Sequence, residues 1–271
     1  MSHATQSARS VGFVNQKGFT LVEMSIVLAI IALIIGGIMV GQNLIRSAQL
    51  LSITSDVKRF TQATQLFKEQ YNYLPGDMPT AESFWGSDTS CPNTPYTTTP
   101  HTAVCNGNGD GRIDDYPSTA TYGYERFRAW QELADAGMID GTYTGVSGTA
   151  SAVQSLIGLN VPASNVAGAG YTLIYYNLPT GSSDNWPIVG HMFEFGSQTA
   201  SGSWGAAITP TESFTIDSKI DDGIPGTGKV LSGSRSSAAM PNCNTTSVQA
   251  TAQYNTSYSG VACSLVFITG L

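Results

Sequence analysis

Residues 17–40 read KGFTLVEMSIVLAIIALIIGGIMV, and the behaviour of this stretch decides the architecture. From Phe19 to Val40 there are 22 residues with a single charge, Glu23, and no proline. At about 1.5 Å per residue, a helix of that length covers about 33 Å, enough to cross a hydrocarbon core of about 30 Å. A cleaved secretory signal has a shorter apolar region, with small residues at a cut site behind it. Here the candidate cut site, Lys17-Gly18, precedes the apolar run, so processing leaves the membrane helix on the mature chain. Basic residues do not set the orientation: Arg9 and Lys17 lie before the helix, and Arg46, Lys58 and Arg59 follow within roughly 20 residues of Val40.

Glu23 is the exceptional residue of this segment. A carboxylate in a membrane helix costs several kcal/mol unless paired, so it is a functional candidate by default. The nearest downstream basic residue is Arg46, too far to help. Two readings stand side by side. In one, cleavage exposes Phe19, and the new α-amino group of a neighbouring subunit neutralises Glu23 when helices stack with an axial offset. In the other, the helix dipole and interfacial water stabilise a carboxylate near the helix N-terminus.

Lys17-Gly18-Phe19-Thr20-Leu21-Val22-Glu23 resembles the prepilin cleavage and methylation motif of type IV pilins and type II secretion pseudopilins. The resemblance spans roughly residues 15–75. It implies cleavage after Gly18 by a membrane prepilin peptidase and N-methylation of Phe19. It also implies assembly with other pilin-like subunits through Glu23, which pairs with a neighbour's terminal amine. One departure is Val40, where many pilins carry a helix-kinking proline. Gly36, Gly37 and Gly41 offer another way to loosen the helix, at about 1 kcal/mol each. The leader of 18 residues is also longer than the shortest in the family.

Beyond the apolar run, Leu50, Ile53, Val57, Phe60, Thr64, Phe67 and Tyr71 recur at helical spacing with only Thr64 polar, a stripe suited to packing on a globular head. A coiled-coil dimer is the rival reading. Pro75-Gly76-Asp77 is expected to end the helix. The expected organisation is therefore a leader (1–18), a transmembrane helix (19–40), its amphipathic continuation (41–75) and a head (76–271). The fold class is α+β, with an antiparallel sheet against the second half of the long helix. Within the head, 122–136 reads as a helix presenting Phe127, Trp130 and Leu133-Ala134, with Gly137 as its C-cap. Thr209-Pro210-Thr211-Glu212 is a capping box opening a helix to about Ile220. Strand candidates are Tyr171–Tyr176, Pro187–Phe195, Ser203–Ile208 and Ala262–Thr269. Ser/Thr-rich stretches at 88–102, 142–155 and 244–259 read as surface loops.

Cys91, Cys105, Cys243 and Cys263 lack zinc-ligand spacing. They read as two local disulfides, Cys91–Cys105 and Cys243–Cys263, formed in an oxidising compartment. Four buried thiols are the alternative, and other pairings are open. The head is then expected outside the cytoplasm, in the periplasm of a bacterial inner membrane and later in a filament.

The strongest candidate metal site is Asn106-Gly-Asn108-Gly-Asp110-Gly-Arg112-Ile-Asp114. Side-chain oxygens at relative positions 1, 3, 5 and 9, with glycine at 6, follow an EF-hand-type calcium loop, in which Arg112 supplies its carbonyl. Pro117 stands where the bidentate Glu belongs, and Glu125 is the candidate replacement. An Asn/Asp/Gly turn without metal explains the same residues, because these residue types favour left-handed and Asx conformations. A second acidic group, Asp217, Asp221 and Asp222, opposes a helix dipole at its C-terminal end. It needs an offset from Lys219, from a backbone amide nest, or from a cation.

Other functional classes are weakly supported. The net charge of −7 falls to −9 once Arg9 and Lys17 leave with the leader, which argues against nucleic acid as a partner. Gly223–Val230 imitates a P-loop but has Val230 where magnesium needs Ser or Thr, and no apolar strand leads into it. There is no HExxH and no GxSxG, so an enzyme is not expected, though a glycosidase using only carboxylates stays open. Trp186 and Trp204, in Gly/Ser-rich surroundings, suggest a rival role as exposed contacts of a membrane-tethered binding module. A mature length of 253 residues, 271 less the leader, is long for a major pilin. It favours a minor or specialised pilin over a major one, with a secretion pseudopilin as the alternative.

Overall fold

The computed structural model describes residues 18–88, 103–113, 125–147, 154–178, 186–199, 202–233 and 242–271. The chain forms two compact units, Met1–Ser47 and Ala48–Leu271. In the first, helix α1 (Leu21–Tyr71) begins after an exposed Gly18-Phe19-Thr20 segment. Its apolar part is long enough to cross a membrane by length and composition, with its side chains exposed. α1 passes through Gly36, Gly37 and Gly41 without a break.

In the second unit the remainder of α1 buries Ile53, Phe60, Ala63, Thr64 and Phe67, with Leu50, Val57 and Tyr71 packed alongside. The stripe thus backs the head, as its spacing predicts. Thr64 is accommodated because its hydroxyl donates to the Phe60 carbonyl at 2.9 Å. The helix stops at Tyr71, earlier than the proline predicts. Asn72 adopts φ 61°, the left-handed conformation that ends helices. Leu74 to Met78 then form a buried turn.

The remaining helices are α2 (Glu82–Trp85), α3 (Glu125–Asp135) and α4 (Pro210–Ile220). The strands are β1 (Ala169–Leu178), β2 (Ile188–Thr199), β3 (Gly202–Gly205), β4 (Val230–Gly233) and β5 (Ser264–Ile268). They make one antiparallel five-stranded sheet in the order β1-β2-β5-β4, with β3 paired to β2. Strand alternation sorts side chains between its two faces. Tyr171, Leu173, Phe193, Phe195, Leu265 and Phe267 join the core with Phe60 and Trp130. Ile174, Tyr176, Met192 and Val266 form a second cluster with Trp186, Leu231 and Ala252.

Several sequence expectations change. The Ser203–Ile208 strand shrinks to β3, and Ile208 instead makes an isolated bridge to Cys263. β4 lies in the glycine-rich stretch that hides any strand pattern. The surface loops 142–155 and 244–259 contribute buried Thr144, Val146, Ser147, Ser155, Ala252 and Tyr254. Asn160 makes this affordable in the first loop, donating to the carbonyls of Val146 and Gln154 at 3.0 and 2.9 Å. Trp186 is buried too, with its indole N–H on the Ser232 carbonyl at 3.0 Å. It is no surface contact residue. Trp204 is half-buried. The 88–102 loop, apart from its first residue, lies outside the described residues.

Candidate functional site

The start of α1 is a capping box. Thr20 precedes the first helical turn, and its hydroxyl accepts the Glu23 amide at 3.2 Å. The Glu23 carboxylate reaches back to take the Thr20 amide and hydroxyl, each at 2.8 Å. Among the described residues this carboxylate has local donors and no cation among its bonds. Phe19, just before the box, is 79% exposed, and Gly18 has open space around its Cα.

The Asn106–Asp114 loop is tied down along its length, apart from Asp114, which lies outside the described residues. Asn106 forms a reciprocal pair with Glu82 at the start of α2: the Asn106 amide donates to Oε1 at 3.1 Å, and the Glu82 amide donates to Asn106 Oδ1 at 3.0 Å. The amides of Gly107 and Gly109 go to the carbonyls of Met78 and Asp77 at 2.8 and 2.9 Å. Gly107 lies so close to the backbone of Asp77 that a Cβ would collide with it. The Asn108 amide donates to Glu125 Oε1 at 3.2 Å, so α3 does deliver Glu125 to this loop. The Asp110 amide is shared by Asp77 Oδ1 at 3.0 Å and Asn108 Oδ1 at 2.9 Å. The Gly111 amide goes to Asp77 Oδ2 at 3.0 Å, and the Arg112 amide to Asp110 Oδ1 at 2.9 Å. The Arg112 guanidinium stacks over Tyr175, 5.0 Å from the ring centroid.

Asp77 and Glu82 went unread in the sequence because they lie outside the loop motif. Only the turn after α1 brings them to it. Burial pushes the Asp77 carboxyl up to about 6, against the pull of the amides it accepts. Nearby, Glu132 of α3 is fully buried and accepts the Gly76 amide at 2.7 Å, and burial raises its carboxyl far above the ordinary range.

The second acidic group also comes together, with one oxygen from each of Asp217, Asp221 and Asp222 within 4.8 Å of the others. Backbone amides, one of the expected offsets, face all three carboxylates. Asp217 takes Gly223 N–H at 3.2 Å and the Tyr254 hydroxyl at 2.9 Å. Asp221 takes the amides of Lys229 and Val230. Asp222 takes Ile224 N–H at 2.8 Å and the Thr227 hydroxyl at 2.6 Å. In this P-loop-like stretch the amides of Gly223, Ile224, Lys229 and Val230 are thus directed at carboxylates of the same chain.

Cys243 and Cys263 form a disulfide with Cα atoms 5.1 Å apart. Cys105 is disulfide-bonded, and Cys91, its expected partner, lies outside the described residues. The Arg128 guanidinium approaches Cys105 Sγ at 3.1 Å and pairs with Asp88 at 3.7 Å.

Residues 14–39 match the family model for the prokaryotic N-terminal methylation motif, the signature of type IV pilins and pseudopilins. With the apolar helix that follows, this supports a type IV pilin-like or pseudopilin substrate of prepilin peptidase that associates with a membrane. No curated protein and no solved structure matches the chain.

Proposed function

We propose that the protein is a structural subunit of a type IV pilus or related filament, made as a membrane-held precursor. Prepilin peptidase cuts after Gly18, Phe19 is N-methylated, and the head lies in the periplasm before assembly. Glu23 then exchanges its Thr20 donors for the terminal amine of the neighbouring subunit. The observation that carries this reading is the methylation motif running directly into an apolar helix with Glu23 as its only charge. Length favours a minor or specialised pilin over a major one. Mass spectrometry of the membrane-extracted protein tests the processing: a methylated Phe19 N-terminus is expected, and an intact Met1 in cells with active peptidase would overturn it. Glu23→Ala tests assembly. It should abolish incorporation into filaments, whereas a membrane-tethered binding module would work unchanged. Incorporation into secretion pseudopili instead of surface pili would make the chain a pseudopilin.

We propose secondly that the loop of Asn106, Asn108, Asp110, Arg112 and Asp114 binds calcium with help from Glu125. The oxygen spacing supports this, as does the seating of Glu125 against the Asn108 amide. Calcium should raise the melting temperature and chelation should lower it. Identical melts in calcium and chelator would end this reading.

A further inference from the structure

Arg128 of α3 is buried, and its guanidinium is fixed by partners on both sides. Nη1 donates to Gln131 Oε1 at 2.7 Å and to the Ala103 carbonyl at 3.3 Å. Nη2 donates to Cys105 Sγ at 3.1 Å and lies 3.7 Å from an Asp88 oxygen. Gln131 also donates to the Ala103 carbonyl at 3.1 Å, which ties α3 to the segment carrying Cys105. Glu132 and Asp135 of α3 act on the guanidinium as well. Burial raises both of their carboxyls, so Asp88 is the carboxylate in contact. Arginine keeps its proton in proteins, and a full positive charge therefore rests against the buried Cys105 sulfur.

A disulfide sulfur is neutral and a weak acceptor, whereas a thiolate in the same place would take a charge-assisted bond from the guanidinium. Stabilising the reduced form makes a disulfide easier to reduce, and a leaving thiol of lower pKa departs faster. The two disulfides differ in this respect. Cys243 and Cys263 belong to the apolar core with Ile208, Tyr254 and Leu265, surroundings that raise a thiol's pKa. Cys105 is disulfide-bonded, and with Cys243 joined to Cys263 the cysteine remaining as its partner is Cys91.

We propose that the Cys105 disulfide is a site of thiol–disulfide exchange, opened by a dithiol, with Arg128 receiving Cys105 as the leaving thiolate. One thiolate of the dithiol bonds to the Cys91 sulfur, the bond to Cys105 breaks, and its electron pair stays on Cys105 Sγ. The second thiol then attacks the mixed disulfide, and its proton goes to the departing Cys91 sulfur. The dithiol ends as a disulfide, and the protein ends with a Cys91 thiol and a Cys105 thiolate. Cys243–Cys263 is the structural bond that stays closed.

Graded dithiothreitol treatment of the full-length protein in detergent, followed by alkylation and mass spectrometry, tests the order of opening. The Cys105 disulfide should open at a reductant level about tenfold below that needed for Cys243–Cys263. Opening at the same level, or in the reverse order, would overturn the proposal. Exposure alone could give the expected order, so the thiol itself is titrated. In Cys91→Ser, thiolate absorbance near 240 nm, followed below pH ~9 where tyrosine stays neutral, reports Cys105. A midpoint below the ordinary value of about 8.5 is expected, and one at or above it would overturn the proposal. Adding Arg128→Gln should move that midpoint up, and an unchanged midpoint would remove Arg128 as its cause. Should Arg128→Gln fail to fold, the midpoint in Cys91→Ser decides by itself.

Discussion

The hydroxyl of Tyr254 donates to the carboxylate of Asp217 at 2.9 Å. The bond joins the last turn of α4 to the loop closed by the Cys243–Cys263 disulfide, and both residues are buried. Burial pushes the Asp217 carboxyl up to about 7, with Asp222 and Asp221 adding to the shift. Because the folded value lies above the ordinary 3.8, the folded state holds this proton more tightly. The stabilisation is fully present below 3.8 and is lost as pH rises through about 7. Melting temperatures measured from acid to slightly alkaline pH should fall more steeply for the wild type than for Asp217→Asn. Parallel profiles would show that Asp217 does not titrate in this range.

His191 should behave in the opposite sense. Its Nε2 accepts the Ile113 amide at 3.3 Å, which requires the neutral ring. Burial pushes the imidazole down to about 4. Its contribution is complete above the ordinary value of 6.5 and is lost as pH falls through about 4. NMR titration should find the ring still neutral at pH ~5. A midpoint near 6.5 would mean that the Ile113 contact is absent in solution.

Two glycines separate backbone strain from collision. Gly76 has φ 83°, and a Cβ there would strike the Glu125 carbonyl and lie 2.8 Å from the Ala129 amide nitrogen. Gly137 has φ 67° with open space around it. Gly137→Ala should cost about 1–2 kcal/mol from the left-handed backbone alone. Gly76→Ala should cost about 3 kcal/mol or more, because α3 must also move. Denaturant unfolding of the two variants measures the difference, and equal losses would contradict the close packing of the turn on α3.

The aromatic core should depend on Phe60, which meets Trp130 edge-on at 4.9 Å and Tyr171 at 5.3 Å between ring centroids. Phe60→Ala should destabilise the protein by about 3–5 kcal/mol. Leu66→Ala, on the same helix but 55% exposed, should change stability by less than about 0.5 kcal/mol. A small effect at Phe60 would mean that the helix stripe does not back the sheet.

Much of this architecture was legible because it is written in local periodicity. The apolar run, the stripe from Leu50 to Tyr71 and the Thr209–Glu212 capping box are short-range patterns, and each depends on physics that acts within a few residues. β4 escaped notice because four residues among glycines and serines carry no alternation, and only pairing with β5 makes them a strand. Trp186 looked exposed for a similar reason, since the four residues before it, Ser182-Ser183-Asp184-Asn185, are polar while it clusters in space with Leu231, Val266 and Ala252.

The sequence by itself determined the membrane-length helix and the acid at its start, because hydropathy, length and charge are properties of consecutive residues. Only the tertiary structure decided that Asp77 belongs to the Asn106–Asp114 loop and that Asp221 faces the amides opening β4. Hydrogen bonds between residues far apart in the chain arise when packing brings a donor to an acceptor, and residue spacing does not record where packing will do so.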